Sequence, residues 1–217
     1  SQPLCAASCT GSATGIATSG NGPYQYQWSN ATTNQTANAL CPATYTVTIT
    51  DADGCSDTAS IIIQGPPPVS VSVVSPPAIC VGQTITMSAT ASGGTPGYNY
   101  TWSSGSPTVS PTTTTTYTVT ANDANGCASA PATITISVNP PLSVITNTVA
   151  PVCSNSPVVL SASASGGVGP YTYTWTPGNF TGNAVQVQPS STTVYTVTVT
   201  DGCTAPNGIA TVTVTTI

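Results

Sequence analysis

The side chains able to do chemistry are few and of narrow kinds. The 217 residues contain no Lys, Arg or His, and the acids are five aspartates, Asp51, Asp53, Asp57, Asp123 and Asp201, for a formal net charge of -5. Catalysis by nucleophile and base, by paired carboxylates or by a metal would have to be assembled from Asp alone. We therefore assign no catalytic residue, expect no cofactor, and expect a protein that is not an enzyme. Asp51, Asp123 and Asp201 recur at one position, just before a turn that leads to a cysteine, and Asp there is a turn former. Asp51-Ala52-Asp53-Gly54 with Asp57 has the look of a calcium loop. Such a loop wants more acidic ligands and a bidentate Glu, so these three are weak calcium candidates and no other metal site is expected.

Eight cysteines, Cys5, Cys9, Cys41, Cys55, Cys80, Cys127, Cys153 and Cys203, are the remaining reactive groups. No imidazole can complete a zinc site and no CxxC pair occurs, so they read as disulfides formed in an oxidising compartment. Asn30, Asn34, Asn99 and Asn179 stand in N-x-[ST] sequons, which matter only where the source glycosylates them.

Without cations, binding to nucleic acid or to anionic lipid headgroups is excluded as a role. No apolar run is long enough for a membrane span and no charged leader precedes an apolar stretch, so the chain reads as an internal piece of a longer extracellular protein. Hydrophobic residues make up 39% of it, enough for packed cores, and solubility must come from Thr, Ser, Asn and Gln.

These residues are held by a repeat. Pro23-Tyr24-Gln25-Tyr26-Gln27-Trp28-Ser29 returns as Gly97-Tyr98-Asn99-Tyr100-Thr101-Trp102-Ser103 and as Pro170-Tyr171-Thr172-Tyr173-Thr174-Trp175-Thr176. A second block follows each, running from Tyr45 to Cys55, from Tyr117 to Cys127 and from Tyr195 to Cys203. Successive side chains on a strand face opposite ways. Tyr195, Val197 and Val199 therefore point inward while Thr196, Thr198 and Thr200 point out, and Tyr24, Tyr26 and Trp28 share one face. Twelve of the thirteen aromatics fall at the repeated positions and are expected in the cores, leaving Phe180. Gly (19) and Pro (20) interrupt every stretch and no 3.6-residue apolar period appears, so the class is all-β. The expectation is three tandem antiparallel β-sandwiches over residues 1–65, 66–139 and 140–217, each of about seven strands. Pro66-Pro67-Pro68 and Pro140-Pro141 join them as short, stiff linkers, which predicts an elongated array.

Spacing from the tryptophans makes Cys5, Cys80 and Cys153 equivalent, and likewise Cys55, Cys127 and Cys203. Pairing within each repeat then joins Cys5 to Cys55, Cys80 to Cys127 and Cys153 to Cys203, with Cys9 joined to Cys41. Cys9 with Cys55 is the alternative in the first repeat. Each main bridge would close a loop of about 50 residues, worth about 4 kcal/mol in the chain-entropy model.

The first copy, through Cys9-Thr10-Gly11-Ser12-Ala13, Ala39-Leu40-Cys41-Pro42-Ala43-Thr44-Tyr45 and the block ending at Cys55, resembles the SprB-type repeat of gliding-motility adhesins. Pro42-Ala43 departs from the usual Ala-Gly before the tyrosine. The second and third copies are similar to the PKD-like and immunoglobulin-like repeats that accompany it. The resemblance implies a giant surface protein of gliding bacteria of the Bacteroidetes kind, exported by the type IX secretion system and carried by a motor. It also implies an O-glycan at an Asp-Thr-apolar motif, which Asp57-Thr58-Ala59 fits through Thr58.

The leading functional reading is a structural or adhesive stalk at the cell surface. Its partners would be neighbouring repeats of the same chain, the secretion or motility machinery, and an extracellular surface or polysaccharide. An accessory region of a secreted polysaccharide-degrading enzyme and a subunit of an extracellular filament are the alternatives.

Overall fold

The computed structural model describes residues 1–203 and 207–217. Among these the chain is all-β, with nineteen strands and no helix. It forms two compact units, one of Ser1–Val74, Met87–Pro107 and Tyr117–Ile134, the other of Ser75–Thr86, Thr108–Thr116 and Thr135–Ile217. The second sequence repeat contributes to both.

The first unit begins with β1 (Gly11–Thr14), β2 (Gln25–Trp28), β3 (Thr36–Leu40), β4 (Ala43–Thr50) and β5 (Ser56–Ile63). Sheets β1-β3 and β2-β4-β5 face each other across Ala13, Trp28, Ala37, Leu40, Val47 and Ile63. Ala37 and Leu40 reach the core from positions three apart on β3, because the β1-β3 register shifts between Gly11 and Ala13 and Ala39 takes a φ of 56°. Trp28 closes its own polar account by donating from Nε1 to the Asn34 carbonyl at 3.0 Å. The unit continues with β6 (Ser70–Val73), paired to β8 (Ala89–Ser92), and with β9 (Asn99–Trp102), paired to β11 (Thr115–Asn122) from Val119 to Asn122.

The second unit contains β7 (Ile85–Thr86) paired with β10 (Thr108–Val109), and Ile79 beside Val138 just past β12 (Ala132–Ile136). It also contains the whole third repeat: β13 (Ser143–Thr146), β14 (Val158–Ser165), β15 (Thr172–Thr176), β16 (Phe180–Thr181), β17 (Ala184–Val187), β18 (Thr193–Thr200) and β19 (Gly208–Val214). One sheet runs β13-β14-β17 and the other β16-β15-β18-β19, all antiparallel. In strand letters this is ABE against C′CFG, an immunoglobulin-like sandwich with its buried Trp175 on strand C. Tyr195, Val197 and Val199 are buried on β18 while the threonines between them face outward, so the alternation places them as expected.

The cysteine pairing is corrected. The bonds are Cys5–Cys127, Cys9–Cys41 and Cys80–Cys203, and Cys55 and Cys153 are free and exposed. The reason is strand length. In the third repeat Val152, next to Cys153, bridges Thr216 beyond the end of β19, whereas Cys203 lies before its start. Seven extended residues span about 20 Å, and a disulfide needs Cα atoms within about 7 Å. The first repeat repeats this geometry. Gln2 bonds Ile62 and Gln64 near the end of β5, beside Cys5, and Cys55 precedes the strand's first residue. Cys5–Cys55, Cys9–Cys55, Cys80–Cys127 and Cys153–Cys203 are therefore not formed. The long bridges instead join one repeat to the next, across 122 and 123 residues, with Cα separations of 5.6 and 5.8 Å.

The aromatic assignment also narrows. The three tryptophans and Tyr195 are buried, most other tyrosines are half-buried, and Tyr100 is as exposed as Phe180.

Non-reducing peptide mapping is expected to recover Cys5 linked to Cys127 and Cys80 linked to Cys203, with alkylation before reduction confined to Cys55 and Cys153. Trp175 fills the centre of the third core, so Trp175→Ala is expected to cost about 4 kcal/mol of unfolding free energy, read by chemical denaturation with far-UV dichroism.

Candidate functional site: the inter-repeat junction

Each repeat presents one pole built from the Asp turn, the residues before the aromatic strand, and a cysteine. In the second repeat Asp123 leads the turn. Its Oδ1 accepts the N–H groups of Asn125 at 2.9 Å and Cys127 at 2.8 Å, and its Oδ2 accepts that of Thr95 at 2.8 Å. The Thr95 N–H, followed by those of Cys127, Asn125 and Gly126, holds the Asp123 carboxyl below the usual carboxylate range, against desolvation that pushes it up. This side chain is 3% exposed, so its hydrogen bonds replace water that burial has removed. Fixing the Cys127 N–H also aims Cys127 at Cys5, which is itself held by a turn in which the Ser8 N–H and hydroxyl both donate to the Cys5 carbonyl.

The prolyl linker docks on the same pole. Pro67 gives its carbonyl to the Gly94 N–H at 2.7 Å, and Tyr98 donates its hydroxyl hydrogen to the Gly93 carbonyl at 2.7 Å. Gly93 and Gly94 have φ of 77° and 58°. A Cβ at Gly93 would strike the Pro68 carbonyl oxygen and one at Gly94 the Asp123 carboxylate, so both backbone sign and space demand glycine. The third repeat copies this construction within its own unit. Gly167 donates to Pro140, Tyr171 to Gly166, and Asp201 accepts from Cys203 and Val168. Its cysteine, Cys203, bonds Cys80, whose N–H donates to Gln83 Oε1.

The first repeat builds the same Asp turn. Tyr24 donates to the Gly20 carbonyl, and Asp51 Oδ1 accepts from Asp53 and Cys55. Its cysteine is the free Cys55.

Each of the calcium candidates has a hydrogen-bond partner within the chain. Asp51 is occupied by backbone donors, Asp53 Oδ2 accepts from Asn21 Nδ2 at 2.6 Å, and Asp57 Oδ1 faces the Thr58 N–H. The three carboxylates do not converge, and no group of His, Cys, Asp or Glu among the described residues is placed to hold a metal ion. Asp51, Asp123 and Asp201 are turn residues. Thr58 lies exposed on β5, paired with Thr48, and the four sequon asparagines are exposed.

Sequence reasoning missed the paired glycines at 93–94 and 166–167 and the reach of the leading cysteines into the following repeat. The recurring Ser-Gly-Gly before each of the last two aromatic strands was the available signal.

A family model described as the SprB repeat matches residues 1–33, 72–107 and 160–180, one stretch in each repeat. Each of the three repeats is thus similar to the SprB repeat over part of its length. The match thus extends into the second and third copies, which sequence likeness alone had placed with PKD-like and immunoglobulin-like repeats. No curated protein matches the chain. Among solved structures it is similar to three N-terminal domains of the bacteriophage RB49 outer capsid protein Hoc, at 14% identity, covering 99% of this chain and 96% of that one, TM-score 0.45. It is also similar to the I67–I69 fragment of titin, at 13% identity, 95% and 87% coverage and TM-score 0.44. A third is the Drosophila OTK extracellular domains 3–5, at 11% identity, 100% and 94% coverage and TM-score 0.39. Among the described residues, no helix is long and apolar enough to cross a membrane.

Because the folded Asp123 carboxyl titrates below its ordinary value of 3.8, its stabilising contribution is complete above that pH and is lost as pH falls through the folded value. Thermal melts of the wild-type chain are expected to fall in midpoint below about pH 4. Asp123→Asn should be less stable at neutral pH and show a flatter acid limb in the same melts.

Proposed function

We propose that this chain is a non-catalytic, load-bearing stalk segment of a bacterial cell-surface adhesin of the gliding-motility kind. It stands outside the cell, exported by the type IX route, with residues 1–65, 66–139 and 140–217 as its three repeats. The observation that carries this reading is the pair of bridges that join successive repeats. A disulfide closing a single domain protects that domain, whereas one that spans a junction makes the junction itself covalent. Cys80 lies inside the loop closed by Cys5 and Cys127, so the two loops overlap and tension entering near Cys5 can leave near Cys203 through disulfides and the intervening 80–127 segment. The SprB match in all three repeats supports the adhesin assignment, and the chain-entropy model gives each bridge about 5 kcal/mol. Neighbouring repeats and the motility machinery are its partners, and the exposed Thr58 is the position offered for an O-glycan.

Single-molecule stretching between the termini tests the load path. The oxidised chain should reach its limit early, and reduction should lengthen maximum extension about threefold, in proportion to the residues released. Equal extension in both redox states would remove the basis for a stapled stalk.

A further inference from the structure

An asparagine or aspartate followed by glycine can modify itself, because the glycine nitrogen reaches the preceding side-chain carbonyl carbon with no Cβ in the way. The chain has five such steps, Asn21-Gly22, Asp53-Gly54, Asn125-Gly126, Asp201-Gly202 and Asn207-Gly208. The reaction needs the glycine N–H free of other duty, since a nitrogen whose hydrogen is held in a turn must first give up that bond. In three of the five it is held: Gly54 donates to the Asp51 carbonyl, Gly126 to that of Asp123 and Gly202 to that of Val168, at 3.1, 3.0 and 2.6 Å. Gly208 heads β19 opposite Val199 and is buried under Val144 and Leu142. Among the described residues only Gly22 has neither restraint. Its N–H makes no hydrogen bond, and both it and Asn21 are exposed.

Asn21 is also the residue that pins a neighbouring turn. Its Nδ2 donates to Asp53 Oδ2 at 2.6 Å, and its carbonyl accepts the Ala52 N–H at 2.9 Å, so side chain and backbone both hold the 51–54 turn. That turn keeps the Cys55 N–H on Asp51 Oδ1 at 2.9 Å. A carboxylate at position 21 could not donate to Asp53. It would set two anions within hydrogen-bond distance of each other in a chain with no Lys, Arg or His to pair with them.

We propose that Asn21-Gly22 is a self-modification site that converts Asn21 to aspartate and isoaspartate and so releases the 51–54 turn as the protein ages. The Gly22 nitrogen attacks the Asn21 side-chain amide carbon, the bond from that carbon to Nδ2 breaks, and Nδ2 leaves as ammonia with the proton that Gly22 gives up. The five-membered succinimide takes up water at either of its carbonyls. Opening at one restores the normal backbone with an aspartate side chain. Opening at the other runs the backbone through the former side chain, one methylene longer, and turns the carbonyl that holds Ala52 into part of a free carboxylate. Either product ends the bond to Asp53. The other four steps keep their glycines bonded or buried, so the change falls on the turn that positions Cys55.

The test holds the full chain at neutral pH in heavy-oxygen water and follows Asn21, Asn125 and Asn207 by peptide mass mapping, with an isoaspartate methyltransferase counting the isoaspartate formed. Asn21 should convert roughly tenfold faster than either of the others, the factor that first breaking one glycine hydrogen bond imposes, and should take up the label. Gly22→Ala, whose Cβ would meet only Tyr24 at 3.7 Å, should slow the conversion severalfold by crowding the attacking nitrogen. Amide exchange at Ala52 should quicken in the aged wild-type chain and in fresh Asn21→Asp, and should stay slow in Gly22→Ala aged for the same time. Conversion at Asn21 no faster than at Asn125 or Asn207, or undiminished in Gly22→Ala, overturns the site. Conversion with unchanged exchange at Ala52 overturns the release of the turn.

Discussion

A disulfide reaches only a few ångströms, and the closing strand of each repeat is about 20 Å long. That mismatch governs the covalent plan of the chain. The leading cysteine sits beside the end of the closing strand and the trailing cysteine before its beginning, so they occupy opposite poles and cannot meet. What each can meet is a cysteine brought up by the adjoining repeat. The Asp turn, the glycine pair and the prolyl linker all serve that meeting. They hold the trailing cysteine's N–H, seat the linker carbonyl, and leave no room for a side chain that would lift the linker away.

A chain with no Lys, Arg or His must keep its outer faces soluble and ordered without ion pairs. It uses hydroxyls facing one another across strand pairs. Thr14 and Thr36, Thr86 and Thr108, Thr116 and Thr135, Ser70 and Ser92, and Ser72 and Thr90 are all joined side chain to side chain. Each such pair adds a few tenths of a kcal/mol and is indifferent to salt, unlike a surface ion pair. The β-branched Thr also favours the extended backbone, so one residue type serves propensity, solubility and cross-strand bonding together.

Most of the fold was legible because period-two alternation has one physical reading. Tyr195, Val197 and Val199 could face only a core if their threonines faced water, and Trp28, Trp102 and Trp175 marked equivalent strands by their surroundings. The cysteine pairing was not legible from spacing. Joining each leading cysteine to the trailing cysteine of its own repeat, or of the next, leaves the same periodic pattern, and loop entropy separates the choices by only about 1 kcal/mol. Strand length decides between them, and it becomes a constraint only once Cys153 is placed beside Thr216. The half-buried tyrosines were missed for a related reason. Alternation identifies the inward face of a strand without saying whether a second sheet covers its whole length.

That last distinction separates the first repeat from the other two. Ala59 and Ile61 take the register positions on β5 that Ala210 and Val212 take on β19, yet both are exposed. The sequence marks the difference at one position. Where β19 has Gly208, closely covered by Val144, β5 has Asp57, a residue that β-propensity disfavours and that a dry floor would not tolerate unpaired. The same register thus holds a covered glycine in the third repeat and an exposed carboxylate in the first.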